Sequence, residues 1–229
     1  MFEKEPRMNW LSLADMMTGL MLVFLLIAIL FISQTQSNIQ KYKSVKSEIY
    51  QELKEAFKTK EEAWQMTISE KNLTIVFNNP RALFRQDSSI ITSDYKEILD
   101  EFIPVYLGII NKDEYRDNIR EVRIEGHTAN TSAVYNSYIS TVKLSQDRAR
   151  EILKYIRGSK TYMEIDSLGQ AKFEFWFTAN GYGKGRAVDS SGDFVHDSNE
   201  KISQKSRRVE FRIVTNSEQL IDEIFRNIK

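Results

Sequence analysis

The chain has 229 residues, 32 of them basic and 32 acidic, so its formal charge is zero and its composition argues against nucleic acid as a partner. It contains no cysteine, which excludes disulfides and thiolate metal sites. Its length allows a membrane anchor, a connector and one ordinary domain.

A short tail, 1–9, precedes one membrane-length apolar run, Trp10 to Ile32 (WLSLADMMTGLMLVFLLIAILFI). At ~1.5 Å per residue the run is roughly 33 Å long, enough for a hydrocarbon core of about 30 Å. Asp15 is its only ionisable residue. A carboxylate in hydrocarbon costs several kcal/mol, at least about 2.5 on insertion scales, so it points by default to ion or proton handling. The bland reading, that Asp15 snorkels to the headgroups, meets the difficulty of a short side chain set well inside Trp10. A cleaved signal is not expected either, because the run is too long and FISQTQS offers no Ala-x-Ala site. Flanking charge leaves orientation open, since Lys4 and Arg7 are offset by Glu3 and Glu5 while Lys41, Lys43 and Lys46 follow the run.

Residues 33–68 read as a helical connector. SQTQSN is a polar break, after which Ile39, Tyr42, Val45, Ile49, Leu53, Phe57 and Trp64 form an apolar stripe with Lys and Glu opposite. The stripe suits either a seam between two copies or a face on the folded domain. A short dimer-associated helix is the expectation.

Residues 69–229 read as one mixed domain. Leu73–Phe77 is expected as a strand and Thr92–Ile110 as a helix capped by Thr92 or Ser93 and bent or interrupted at Pro104. Arg120–Glu125 is a second strand. A helix is expected over Ser145–Ile156, with Ser145 as N-cap and Gly158 past its end. Lys172–Thr178 (KFEFWFT) and Arg208–Thr215 read as further strands, with Phe173, Phe175 and Phe177 as core, and Ser217–Asn227 reads as a terminal helix. This alternation predicts an α/β (α+β) two-layer sandwich, with helices packed on one face of a mixed sheet.

With Ser145 as cap, Arg148 falls in the first turn of its helix, where free N–H groups and the macrodipole disfavour a cation and, together with the guanidinium, attract a carboxylate. A surface arginine paired with Asp147 or Glu151 is the alternative. His127 and His196 are the only histidines, and without cysteine no ligand spacing marks a metal site, so His127 is expected to be structural. Gly181-Tyr182-Gly183-Lys184-Gly185 lacks the spacing of a phosphate loop. Of Arg207 and Arg208, one is expected in solvent and the other toward Arg148. No nucleophile–base arrangement can be assembled, so the domain is not expected to be an enzyme.

At these residues the chain resembles a known architecture. Trp10 to Leu26, especially Ala14-Asp15-Met16-Met17-Thr18-Gly19, is similar to the membrane helix of MotB-type stator subunits. Four later segments resemble the OmpA-like peptidoglycan-binding domain: Glu125-Gly126-His127-Thr128, Leu144-Ser145-Gln146-Asp147-Arg148-Ala149, Gly181-Tyr182-Gly183 and Ser206-Arg207-Arg208-Val209-Glu210. The short tail and modified His-Thr loop look most like the B component of Zorya antiphage defence systems. A flagellar-type stator subunit and a motor-free envelope anchor are the alternatives.

The resemblance implies a single-pass inner-membrane protein with a cytoplasmic N-terminus and a periplasmic C-terminal domain. It implies a homodimer held inside a pentamer of MotA-like polytopic subunits, a 5:2 complex, with no cofactor beyond a transported H+ or Na+. Asp15 becomes the ion acceptor, with Thr18 one turn on. His127, Thr128, Thr141, Leu144, Arg148, Arg207 and Arg208 become the peptidoglycan-binding residues. The chain departs from the pattern at Ala129, where an aspartate usually joins the later arginine in gripping diaminopimelate, and at Thr141 and Ser206, which replace asparagines. The stretch 131–140 is an insertion, in which Asn136 and Tyr138, with Asn130 before it, are candidate substitute contacts.

Overall fold

The structure is a computed structural model that describes residues 10–78, 83–129, 137–195 and 202–216. The expected C-terminal helix, His196, Asn130 and Asn136 lie outside the described residues, as do the side chains of Ile39 and Tyr42. The chain divides into two compact units, Met1–Lys43 and Ser44–Lys229.

The first helix, α1 (Trp10–Phe57), contributes to both units. In the first, Leu13–Ser37 has a mean hydropathy of 2.7 and is long and apolar enough to cross a bilayer. The expected polar break at SQTQSN is absent, and the backbone stays helical through it. No glycine or proline occurs there, and Ser, Thr and Asn each cost a helix only up to about 0.7 kcal/mol.

In the second unit, Val45, Ile49, Leu53 and Phe57 are buried, and the Phe57 ring stacks on Phe102 at 5.1 Å. From Val45 to Phe57 the stripe is therefore part of the domain core, and the expectation that this face serves a helix associated with a second copy is corrected there. Its repeat of four residues suits one face of a globular-protein helix, not the 3.5-residue period of a seam.

The sheet has five strands: β1 (Met66–Ser69), β2 (Thr74–Phe77), β3 (Ile119–Gly126), β4 (Phe177–Gly181) and β5 (Val209–Thr215), ordered β1-β2-β5-β3-β4. β3 and β4 are parallel and the other pairs antiparallel. A parallel neighbour needs a crossover, supplied by α4 (Tyr138–Arg157), α5 (Lys160–Glu164) and α6 (Ser167–Trp176). Between β2 and β3 lie α2 (Ser93–Ile110) and the single turn α3 (Asp113–Arg116).

Thr92 caps α2, its hydroxyl accepting the Tyr95 N–H at 3.2 Å, and the helix continues through Pro104 without interruption. Tyr95, Leu99, Phe102 and Tyr106 of α2 are buried with the inward residues of β2 and β5. Phe77 meets Phe102 edge-on at 5.3 Å, and Phe211 lies 5.0 Å from Phe102. Offset and edge-on ring pairs of this kind add about 0.5–1.5 kcal/mol each beyond their burial.

Two expected elements are corrected. The central helix α4 starts at Tyr138, two turns before Ser145, because Ser137 and Ser140 form a reciprocal capping box. The KFEFWFT segment is not one strand: it is the end of α6 followed by the start of β4. Asp166 caps α6 by accepting the Gly169 N–H at 2.9 Å. Phe173 and Trp176, three apart, are buried as a helix allows, while Phe175 is 78% exposed rather than core.

Candidate functional site

β3 ends at Glu125-Gly126 and is followed directly by His127-Thr128, and the sheet register sets Gly126 beside Gly181 of β4 and Val209 of β5. Helix α4 lies directly against this corner. A Cβ on Gly126 would fall 2.2 Å from the Ser145 carbonyl oxygen. Gly183 takes φ +55, the left-handed region that favours glycine, and turns the chain back under α4. The Ser145 hydroxyl accepts the Gly183 N–H at 2.8 Å, Thr141 Oγ1 accepts the Lys184 N–H at 3.4 Å, and the Thr128 N–H donates to the Gly183 carbonyl at 3.0 Å. Thr128, Thr141, Leu144 and Ser145 are all buried by this stitching. They position the corner and offer almost no surface to a ligand.

A charged network sits behind the corner. The His127 N–H donates to the Arg208 carbonyl at 3.0 Å, and its ring stacks on Tyr182 with centroids 5.3 Å apart. The Arg186 guanidinium lies over the Tyr182 ring, 3.7 Å from its centroid. His127 Nε2 lies 3.4 Å from Glu210 Oε1 and 3.8 Å from Glu125 Oε2. Neither imidazole nitrogen, nor Thr128 Oγ1, has a hydrogen-bond partner among the described residues. Arg208 Nε donates to Glu210 Oε1, and Arg208 Nη1 to the Arg186 carbonyl at 3.3 Å.

Burial pushes the His127 pKa below the ordinary imidazole value, and the Arg208 charge acts in the same direction against the pull of the two glutamates. For Glu125, burial alone would raise the pKa. The His127 imidazole and the Arg212 and Arg186 guanidiniums outweigh it and hold the carboxyl below its usual range. At 3.8 Å the imidazole acts through charge, since the separation exceeds a hydrogen bond.

Glu125, His127 and Glu210 have donor atoms within 4.8 Å of one another, the one such cluster of possible metal ligands among the described residues. Both carboxylates already face arginines, Glu210 through Arg208 and Glu125 through Arg186 at 3.8 Å. A dication roughly 4 Å from a guanidinium would be repelled by several kcal/mol even at an effective dielectric of about 20. The cluster is better suited to an internal ion network than to a metal.

Arg148 stands apart from this network. It lies about three turns beyond the Ser137 cap. The helix N-terminus therefore cannot assist it, and the expected pairing of a guanidinium with free N–H groups is corrected. Its Nε donates to the Ser88 carbonyl at 2.9 Å, and its guanidinium lies 5.0 Å from the centre of the Phe84 ring. Arg148 is thereby fixed to the segment between β2 and α2. Arg207 is half-buried after a 3-10 turn, Gln204–Ser206. Arg208 is buried toward Glu210, so neither arginine of the pair is fully exposed, where one was expected in solvent. Ser206 is buried too, its hydroxyl both accepting from and donating to the Val188 backbone. Ala129 is buried and brings no charge.

In the first unit, Asp15 is exposed on α1, and the Thr18 hydroxyl donates to the Ala14 carbonyl at 2.5 Å. Such a bond to the preceding turn leaves the hydroxyl oxygen as an acceptor on the helix surface. Four residues of the corner were not singled out from sequence: Gln146, Tyr182, Arg186 and Glu210. Gln146, Tyr182 and Glu210 lie inside the family-like segments, whereas Arg186 carries no sequence signal.

No family model matches the chain. Zorya protein ZorB of Escherichia coli strain Crooks is 32% identical to it over 228 residues, covering 94% of this chain and 92% of that protein. A second Zorya protein ZorB, from Escherichia coli O139:H28 strain E24377A, is 22% identical over 214 residues, covering 89% and 79%. Among solved structures, a MotB-like protein from Desulfovibrio vulgaris superposes with a TM-score of 0.51 at 17% identity, over 76% of this chain and 94% of that one, which is a likeness of fold. With about a third of its residues shared along nearly its whole length, the chain belongs to the family of Zorya protein ZorB.

Proposed function

We propose that this protein is the wall-anchored B subunit of a stator-type ion channel, acting in Zorya-type antiphage defence with a MotA-like polytopic partner. The observation that carries the reading is one acidic residue, Asp15, in a bilayer-length helix joined on a single chain to an OmpA-like domain, in a chain related to ZorB. The helix crosses the inner membrane with its N-terminus in the cytoplasm. The domain sits in the periplasm and binds peptidoglycan, and two copies stand inside five partner subunits.

Asp15 is the group that accepts and releases a cation, H+ in preference to Na+, because a lone carboxylate suffices for a proton. Thr18 lies one turn away on the same helix face and supplies an acceptor oxygen beside it. The domain holds the helix still while ions pass, so its role is mechanical and not hydrolytic. Arg148 is the contact to a stem-peptide carboxylate, and the buried His127–Arg208 network keeps the surrounding corner rigid.

The test is Asp15→Asn in the full chain with its partner. Phage protection should be lost while the partner still co-purifies in the same ratio. Retained protection would reject ion coupling and favour a motor-free envelope anchor.

A further inference from the structure

We propose that the groove between α2 and α4 is a second contact for the wall polymer, holding the carboxylate-bearing part of a stem peptide beyond the residue held at Arg148. The inference rests on the reading of the domain as a peptidoglycan anchor. The groove has a volume of about 540 Å³ and is lined by Ile90, Ile91, Lys96, Lys154, Tyr155 and Lys160, with Asp100 and Glu151 at its walls. Sites for small ligands span about 300–1,000 Å³, so it has room for a short peptide.

Two features join it to Arg148. The segment that receives the arginine, through the Ser88 carbonyl and the Phe84 ring, continues directly into Ile90 and Ile91 of the groove wall. On α4, Arg148, Glu151 and Tyr155 follow one another at spacings of three and four residues, so they share a face. A chain leaving Arg148 along that face enters the groove.

The chemistry suits an acidic peptide with small apolar side chains. Three lysines line the groove against two carboxylates. Lys154 is paired with Glu151 at 3.0 Å and Lys160 with Glu164 at 3.6 Å, so Lys96 is the groove lysine without a carboxylate partner among the described residues, and Asp100 accepts the Tyr155 hydroxyl at 2.7 Å. Ile90, 53% exposed, supplies an apolar lip for an alanine methyl.

The experiment compares the full-length protein in detergent with its Lys96→Glu/Lys160→Glu and Arg148→Ala variants. The probes are intact sacculi, sacculi stripped of stem peptides by an amidase, and free diaminopimelate. Reversing two exposed charges should weaken binding to intact sacculi about five- to ten-fold. It should leave affinity for free diaminopimelate and for stripped sacculi unchanged. Parent-like binding of intact sacculi by the lysine variant, with loss in Arg148→Ala, would overturn the groove and leave the anchor reading standing. Equal loss of free diaminopimelate would also overturn it, because the lysines would then act on the Arg148 contact itself. Binding indifferent to all three substitutions and to stem removal would overturn both the groove and the Arg148 contact, and failure to bind sacculi at all would overturn the anchor reading.

Discussion

Gln146 and Gly181 are locked together from two directions: Gln146 Oε1 accepts the Gly181 N–H at 2.7 Å, and a Cβ on Gly181 would fall 2.3 Å from the Gln146 backbone nitrogen. The same carboxamide donates through Nε2 to the Ala179 carbonyl at 2.7 Å. One side chain of α4 thus saturates a stretch of β4 backbone, and the missing side chain of a glycine lets the helix come close enough to do so. Gln146→Ala orphans two backbone groups of β4 and should cost about 2–4 kcal/mol. Gly181→Ala forces helix and strand apart and should cost at least as much. Urea unfolding with an unchanged slope reads both. A loss below about 1 kcal/mol in either variant would show that this corner tolerates separation.

The pH dependence of stability follows from the buried imidazole. The native His127 pKa lies below its unfolded value of about 6.5, so the unfolded chain takes up a proton that the folded one resists. The residue is without penalty above that pH. Stability declines as pH falls from about 6.5 toward the lowered native pKa. Glu125 acts in a separate, more acidic window, because its depressed native pKa gives stability above the unfolded carboxylate value that is lost as pH falls through the native one. The urea midpoint should therefore drop between about pH 7 and pH 5.5 in the parent and stay flat over that interval in His127→Asn. A flat parent curve would mean that the imidazole protonates inside the fold without cost.

The apolar stripe of α1 gives a sharp stability test. Leu53 is fully buried in the domain core, so Leu53→Ala should destabilise the domain by about 2–5 kcal/mol through lost burial and a residual cavity. The loss should be independent of protein concentration. A deficit that grows on dilution would return the stripe to an interface between copies, since only a seam couples stability to protomer concentration.

Much of the sheet was legible because β3 and β5 carry their periods openly, as REVRIE and RVEFRIVT, and Thr92 announces the start of α2. The start of α4 was hidden for a chemical reason. Ser145 looks like a cap residue, yet its hydroxyl, with that of Thr141, serves the glycine turn across the corner, a use visible only in three dimensions. The phenylalanine run misled because Phe173, Phe175 and Phe177 fit a strand's alternation, while the pair buried on the helix, Phe173 and Trp176, sits at helical spacing, and Asp166 resolves the choice upstream. The site residues named from family-like segments were found largely buried. The surroundings of Arg148 were illegible, since its partners Ser88 and Phe84 are about sixty residues away in sequence.

That long-range attachment makes the choice of arginine at position 148 testable apart from its charge. A guanidinium bonded through Nε to the Ser88 carbonyl and lying over Phe84 has its plane fixed, and a planar fork matches a carboxylate in a way that an ammonium cannot. Arg148→Lys keeps the positive charge but loses the Nε bond and the guanidinium's contact with the Phe84 ring. If the wall contact depends on the fork, Arg148→Lys should bind sacculi as poorly as Arg148→Ala, about ten-fold or more below the parent. If charge alone suffices, Arg148→Lys should bind like the parent. Both variants should also lose about 1–2 kcal/mol of stability, from a charge-assisted hydrogen bond and a partly exposed cation–π contact. A loss of that size lowers the melting temperature by several degrees without unfolding the domain at 25 °C. A melt recorded beside each pull-down therefore separates lost recognition from lost fold, and an alanine variant that melts low yet still binds would remove Arg148 from the wall contact.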